Sequence, residues 1–282
     1  MSHNDSSYPV PPPRYSESRV QPEEAASPLL GGREEAAAVR PGEGSGVPRE
    51  EGDHVPDDFK YADKVAECTL PIRQAFIRKV YSILTVQLLV TAAVGTVISM
   101  NPGVKNWALS HIWAFYVSMF GAMGFMIGAF IKQRSYPTNL IFLGGFTLLE
   151  SYAVGTVSSL YDTRIVLQAV ALTFVIFLGV SIFAIQTRYD LTGWAGYLNI
   201  ALWGLIGFGL VAIFVPFGSK VELIYSSIGA LVFTGYILVD TQLILKKFHP
   251  EDEVAAAVSL YLDIINLFLN ILRILNEIQN DN

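Results

Sequence analysis

Cysteine is almost missing from this chain: Cys68 stands alone among 282 residues, which excludes an intramolecular disulfide and gives no basis for a cysteine-held metal cluster. Charge is scarce as well. At 16% charged against 52% hydrophobic residues, the composition fits a chain that crosses a membrane several times better than a soluble domain of this length. No apolar run occurs before residue 80, so no cleavable signal peptide is expected at the start and the first span must direct its own insertion. A His-rich metal cluster, a nucleophile elbow and a phosphate-binding loop are also lacking, so the chain reads as a non-enzyme that uses no cofactor.

The charge that is present lies unevenly. Of 25 acidic and 19 basic residues, twelve and six fall within residues 1 to 60, a net of −6, which leaves thirteen of each for residues 61 to 282. The acidity belongs to the tail, and no nucleic-acid partner is expected. Residues 1 to about 58 are rich in Pro, Gly, Ser, Glu and Arg with almost no aromatics, a composition that cannot bury enough apolar surface to fold. The division expected is therefore a disordered, acidic, cytosolic tail over 1–69 and a transmembrane domain over 70–282. Within the tail, YPVPPPRY runs from Tyr8 to Tyr15, and Pro12, Pro13 and Tyr15 fit the Pro-Pro-x-Tyr pattern that WW domains read in polyproline II form. The partner implied is a WW-domain ubiquitin ligase. The stretch EAASPLL, Glu24 to Leu30, resembles an acidic dileucine signal with its acid one position too far upstream, and reads as solvated tail.

From Leu70 the character changes. Arg73, Arg78 and Lys79 precede an uncharged run from Val80 to Met100, and further runs follow at Ile112–Ile131, Asn139–Leu160, Ile165–Ile185, Trp194–Val215, Leu223–Leu245 and Val254–Leu275. Each is long enough for a hydrocarbon layer of about 30 Å, so the fold class expected is all-α, a polytopic membrane protein of seven transmembrane helices. With a cytosolic amino terminus, the cytosolic side carries Arg73, Arg78, Lys79, Lys132, Arg134, Arg188, Lys246 and Lys247, against Lys105, Arg164, Lys220 and Arg273 opposite. That excess of basic residues sets the orientation. Gly124 and Gly128 in the second span, and Gly204, Gly207 and Gly209 in the fifth, are expected at close helix contacts.

The last span carries polar groups that lipid penalises. Ser259, Asp263, Asn266, Asn270 and Arg273 recur at steps of four and three and share one stripe, which must face protein or a water-filled cavity. The other chain segments are accordingly expected to surround this helix. Away from helix ends only Glu150, Asp240 and Asp263 are acidic within the spans. Asp240 lies about 9 Å inside the boundary at Lys246, and Asp263 about 13 Å inside from Val254, at 1.5 Å per residue. Spans six and seven are joined by a short loop, so the two aspartates are expected to face each other in the cytosolic half. Glu150, about 16 Å in from Asn139, belongs either to the same cavity or to a separate helix contact. Two carboxyl groups in a low-dielectric site resist ionising together, so Asp240 and Asp263 are expected to titrate as a coupled pair. The plainer alternative is a pair of hydrogen-bonded acids that merely joins two helices.

Three stretches carry a resemblance to a known family: RQAFIRKVYSILTVQLLVT from Arg73, GYILVDTQLIL from Gly235 and SLYLDIINLFLNILRILN from Ser259. Together they resemble the Bax-inhibitor and Lifeguard family of small membrane proteins, from about residue 70 to the carboxyl end. The resemblance implies seven helices with the last one central, and a calcium leak conductance in the endoplasmic reticulum, Golgi or vacuolar membrane. It also implies an influence on cell death and on stress responses such as the unfolded protein response, with cell-death regulators as partners. Asp240 and Asp263 match the family's pH-sensing pair; with only two or three carboxylates available, against the six to eight oxygens of a tight calcium site, any calcium there is expected to be held weakly and in passing. Bacterial relatives add an arginine that bonds to this pair; Arg134 is the nearest here, and Asn266 and Asn270 continue the stripe beyond it. The competing readings are an intramembrane aspartyl protease, a seven-helix receptor and a non-conducting scaffold that regulates partner proteins. The protease fails because Asp263 follows Tyr261-Leu262 and Asp240 follows Leu238-Val239, giving neither the Tyr-Asp nor the Gly-x-Gly-Asp element of that class. The receptor needs an outside amino terminus, against the charge count.

Overall fold

The computed structural model of the protein describes residues 64–215 and 218–280. Pro12, Pro13, Tyr15 and the rest of residues 1–63 lie outside the described residues. Among the described residues every regular element is helical: α1 (Leu70–Met100), a short α2 (Pro102–Ser110), α3 (Ile112–Ile131), α4 (Thr138–Ser158), α5 (Thr163–Gln186), α6 (Ala195–Phe214), α7 (Ser219–Lys246) and α8 (Glu253–Asn280). All but α2 are long and apolar enough to cross a membrane, which makes seven. The spans read from hydropathy fall on these helices, but α1 begins ten residues before Val80 and α7 four before Leu223. Apolar runs mark what lipid must contact, whereas a helix continues through polar residues until a cap or proline stops it. Asn101 and Pro102 supply such a break. The Asn101 side chain accepts from the amides of Gly103 at 3.0 Å and Val104 at 3.3 Å, with proline at the first position of α2. Asp162 caps α5 in the same way, accepting from the Arg164 amide at 2.8 Å.

The last helix is the hub. α8 contacts α1, α3, α4, α5 and α7, while α6 packs against α7 and the turn before it. From Val254 to Val258 every residue of α8 is buried, and so are Leu260, Leu267 and Leu272. A helix hydrophobic on nearly all sides belongs at the centre of a bundle, and the apolar surface of α6 is left for lipid. Upstream of α1, Val65 sits fully buried in a short 3₁₀ turn, its amide donating to the Phe248 carbonyl at 2.8 Å. The folded body therefore includes residues ahead of Leu70.

Small residues set some contacts and not others. Phe142 lies over Gly128 and Phe125 over Gly145, with the two rings 6.0 Å apart, so α3 and α4 interlock through reciprocal ring-into-glycine contacts. Gly95 and Gly155 bring α1 and α4 together: a Cβ added at Gly155 would meet the Gly95 Cα at 3.0 Å. Gly124, Gly204 and Gly207, read from the sequence as contact sites, have nothing within 4 Å of an added Cβ, because their faces of α3 and α6 point outward. Gly128→Ala should therefore destabilise the domain by about 1–3 kcal/mol, the usual cost of overpacking. Gly124→Ala, one turn away on open surface, should leave it unchanged. Thermal unfolding of the two variants in detergent measures the difference, and equal melting temperatures would refute the interlock.

Candidate functional site

α7 and α8 run antiparallel and make the most extensive helix pair among the described residues, which brings Asp240 and Asp263 to one place. Asp240 and Asp263 lie close enough across this interface to interact, and Ser259, one helical turn before Asp263, stands beside Asp240 as well. Both are sequestered, at 8% and 6% exposure, and Asp263 Oδ2 has no hydrogen-bond partner among the described residues. Tyr236, one turn before Asp240 on α7, stands beside both acids. Neighbouring Gln242 is fully buried and fixes the turn between α5 and α6: its Nε2 donates to the Tyr189 carbonyl at 2.9 Å, and its Oε1 accepts from the Leu191 amide at 2.8 Å. In the same turn Asp190 accepts from the hydroxyl and amide of Thr192, which hold its carboxyl group below the ordinary carboxylate range. The turn keeps those bonds until pH falls through that lowered value.

The remainder of the polar stripe is turned inward on its own helix. Asn266 Nδ2 donates to the Leu262 carbonyl and Asn270 Nδ2 to the Asn266 carbonyl, both at 2.8 Å, while the Asn270 side chain occupies the space left by Gly229 on α7. Arg273 is exposed. Arg134 does not reach the aspartate pair. Its Nε and Nη2 donate to the two oxygens of Asp252 at 2.8 and 3.2 Å, a bidentate pair that ties the turn after α3 to the turn before α8. That partner holds the Arg134 guanidinium above its ordinary value. Lys79 reaches Glu253 at 3.5 Å on the same face, so α1 is held to the start of α8 as well.

Glu150 lies apart from the two aspartates, half-buried on α4 beside Tyr261. Tyr261 and Asp263 are two residues apart and so point to opposite sides of α8. Tyr261 is fully buried and edge-on to Phe146, with ring centroids 5.6 Å apart. Its hydroxyl lies 2.8 Å from Thr91 Oγ1, which is 3.0 Å from Ser151 Oγ and donates to the Gln87 carbonyl at 2.9 Å. Gln87 Nε2 in turn donates to Thr147 Oγ1 at 3.2 Å. This polar cluster joins α1, α4 and α8, and sequence reasoning missed it. The available signal was Gln87, an amide in the middle of an apolar span. Among the described residues no three His, Cys, Asp or Glu side chains gather as a metal site.

Fold and site together define a polytopic membrane protein of seven membrane-length helices with an acid-bearing last helix as the hub. Residues 73–281 match the family model described as inhibitor of apoptosis-promoting Bax1. "Bax inhibitor 1" of Schizosaccharomyces pombe is 40% identical over 225 residues, covering 80% of this chain and 85% of its own. "Golgi anti-apoptotic protein" of vaccinia virus strain Lister is 40% identical over 226 residues, covering 80% and 94%. "Protein lifeguard 4" of Mus musculus is 37% identical over 224 residues, covering 79% and 94%. The chain belongs to the Bax-inhibitor family.

Proposed function

We propose that this chain is a pH-sensitive calcium leak channel of an internal membrane, through which it modulates calcium homeostasis, cell death and stress responses. The observation that carries the reading is that Asp240 and Asp263, both buried, lie within interaction range across the α7–α8 interface, inside a membrane domain. Two carboxylates offer fewer oxygens than the six to eight of a tight calcium site, so calcium is held weakly and passes on. The shared proton bridges the helices, and its loss replaces the bridge with like charges. Asn266 and Asn270 continue the polar line of α8 beyond the pair, and Arg134 secures the cytosolic ends of the helices through Asp252. The amino terminus is cytosolic on the charge count. The vaccinia relative's name speaks of the Golgi, and the membrane proposed here is that of the endoplasmic reticulum, Golgi or vacuole.

The second reading, a non-conducting scaffold acting on cell-death regulators, is favoured by the relatives' names, which speak of inhibiting death and not of transport. Calcium flux into liposomes that hold only the purified protein separates the two. Flux above that of protein-free liposomes is expected, and flux equal to it leaves the scaffold. In the tail, a WW-domain ubiquitin ligase is proposed to read Pro12, Pro13 and Tyr15 and direct turnover. Tyr15→Ala is then expected to lengthen the protein's half-life in cells and abolish pull-down by an isolated WW domain; if neither changes, the motif is idle.

A further inference from the structure

The face that carries the Arg134–Asp252 pair also holds a cleft of about 590 Å³, lined by Arg134, Leu243, Lys247, Phe248, His249 and Asp252. Its basic groups outnumber its one acid. Asp252 uses both oxygens on Arg134 Nε and Nη2, and Nη1 is uncommitted among the described residues. Lys247 is exposed, within electrostatic reach of Asp190 but beyond ion-pair distance of any acid among the described residues. His249 spends Nδ1 on the Glu251 amide at 3.2 Å, which leaves Nε2 to the cleft. Leu243 and Phe248 add an apolar wall. The cleft lies at the ends of α3 and α7, where a membrane-spanning helix meets the headgroup layer, on the face that the charge count makes cytosolic.

We propose that this cleft is a binding site for a phosphate monoester, as borne by the headgroup of a phosphorylated inositol phospholipid. A phosphate answers the excess of positive charge that Asp252 leaves, and its oxygens suit the uncommitted Nη1 of Arg134 together with a point-charge lysine. Basic clefts between spans on the cytosolic side are the form such recognition takes, and the wall of Leu243 and Phe248 accepts the glycerol end of a lipid. The phosphate competes with Asp252 for Arg134, and Asp252 opens the turn into α8, its carbonyl accepting from the Ala256 amide at 3.0 Å. Binding at the cleft therefore bears on the helix that carries Asp263. That consequence rests on the proposed leak; the binding does not, and it is measured without flux, so failure of one is distinguishable from failure of the other.

The test is titration of the full-length protein in phosphatidylcholine nanodiscs with dioctanoyl phosphatidylinositol 4-phosphate, with dioctanoyl phosphatidylcholine and with inorganic phosphate. Saturable binding of the phosphoinositide is expected, weakened about fivefold by Lys247→Gln, the worth of one basic residue at a membrane surface. Lys220→Gln, at the opposite end of α7, should change nothing. Because Arg134→Gln also breaks the tie to Asp252, Lys247→Gln and His249→Gln are the deciding variants. Phosphoinositide binding without competition by inorganic phosphate assigns the site to the lipid, and equal binding of both assigns it to free phosphate; either supports a phosphate site. Absence of binding by both, or binding unaltered in Lys247→Gln and His249→Gln, overturns it.

Discussion

Asp240→Asn and Asp263→Asn are each expected to flatten the dependence of calcium flux on pH, in liposomes that contain only the purified variant. The two carboxyl groups lie within interaction range across the α7–α8 interface, and each is almost wholly removed from solvent. Replacing either carboxyl with an amide keeps its size and a hydrogen-bonding edge but removes one of the two groups that titrate and the coupling between them. The two helices are then no longer joined by a pair of carboxyl groups that share a proton, and the response to pH weakens. Each tenfold difference in proton affinity between the bridged and separated arrangements is worth about 1.4 kcal/mol. A balanced pair of arrangements shifts about tenfold for each such step, so the loss should be plain in a flux assay. Glu150→Gln should do less, because Glu150 stands by Tyr261 on the other side of α8. A parental pH profile in both single variants would count against the pair as the sensor.

The largest loss of stability is expected from Tyr261→Ala. Tyr261 is fully buried at the junction of α1, α4 and α8, with its ring edge-on to Phe146 and its hydroxyl on Thr91. Truncation leaves a void where three helices meet, for which large aromatic-to-alanine changes typically cost about 3–5 kcal/mol. Tyr261→Phe keeps the ring and loses one hydrogen bond, worth about 0.6 kcal/mol between membrane helices. Thr91 retains the Gln87 carbonyl and Ser151 in that variant. Thermal unfolding in detergent should therefore rank the parent close to Tyr261→Phe and far above Tyr261→Ala. Equal losses in the two variants would mean that the hydroxyl, not the packing, anchors α8.

Why some of this was legible in the sequence and some was not follows from the range of each interaction. The spans were readable because lipid imposes one rule on every residue of a long segment, and α8 stood out because its polar stripe breaks that rule at helical spacing. Asp240 and Asp263 could be paired from depth alone, since a short turn forces α7 and α8 to be antiparallel neighbours. Arg134 could not be placed that way. Its partner depends on the path of the turn between α7 and α8, where Asp252 and not a membrane-embedded aspartate comes within reach. The Tyr261 cluster was hidden for another reason. Thr91, Thr147 and Ser151 all bond to carbonyls of their own helices, as hydroxyl residues in membrane helices commonly do, and nothing local marks them as also facing α8. Gly124 and Gly128 show the same limit: the spacing suggested a contact, but only the bundle decides which glycine meets a ring.

The central claim is that one proton, shared between Asp240 and Asp263, governs calcium passage. The most direct measurement is calcium flux as a function of pH through the Asp240→Asn, Asp263→Asn double variant, purified and shown to unfold at the parent's temperature, beside the parent in matched liposomes. The predicted result is a parent whose flux changes across the neutral range and a double variant whose flux stays level. A folded double variant whose flux still follows pH as the parent's does would contradict the account, and would leave the two aspartates as a joint between helices.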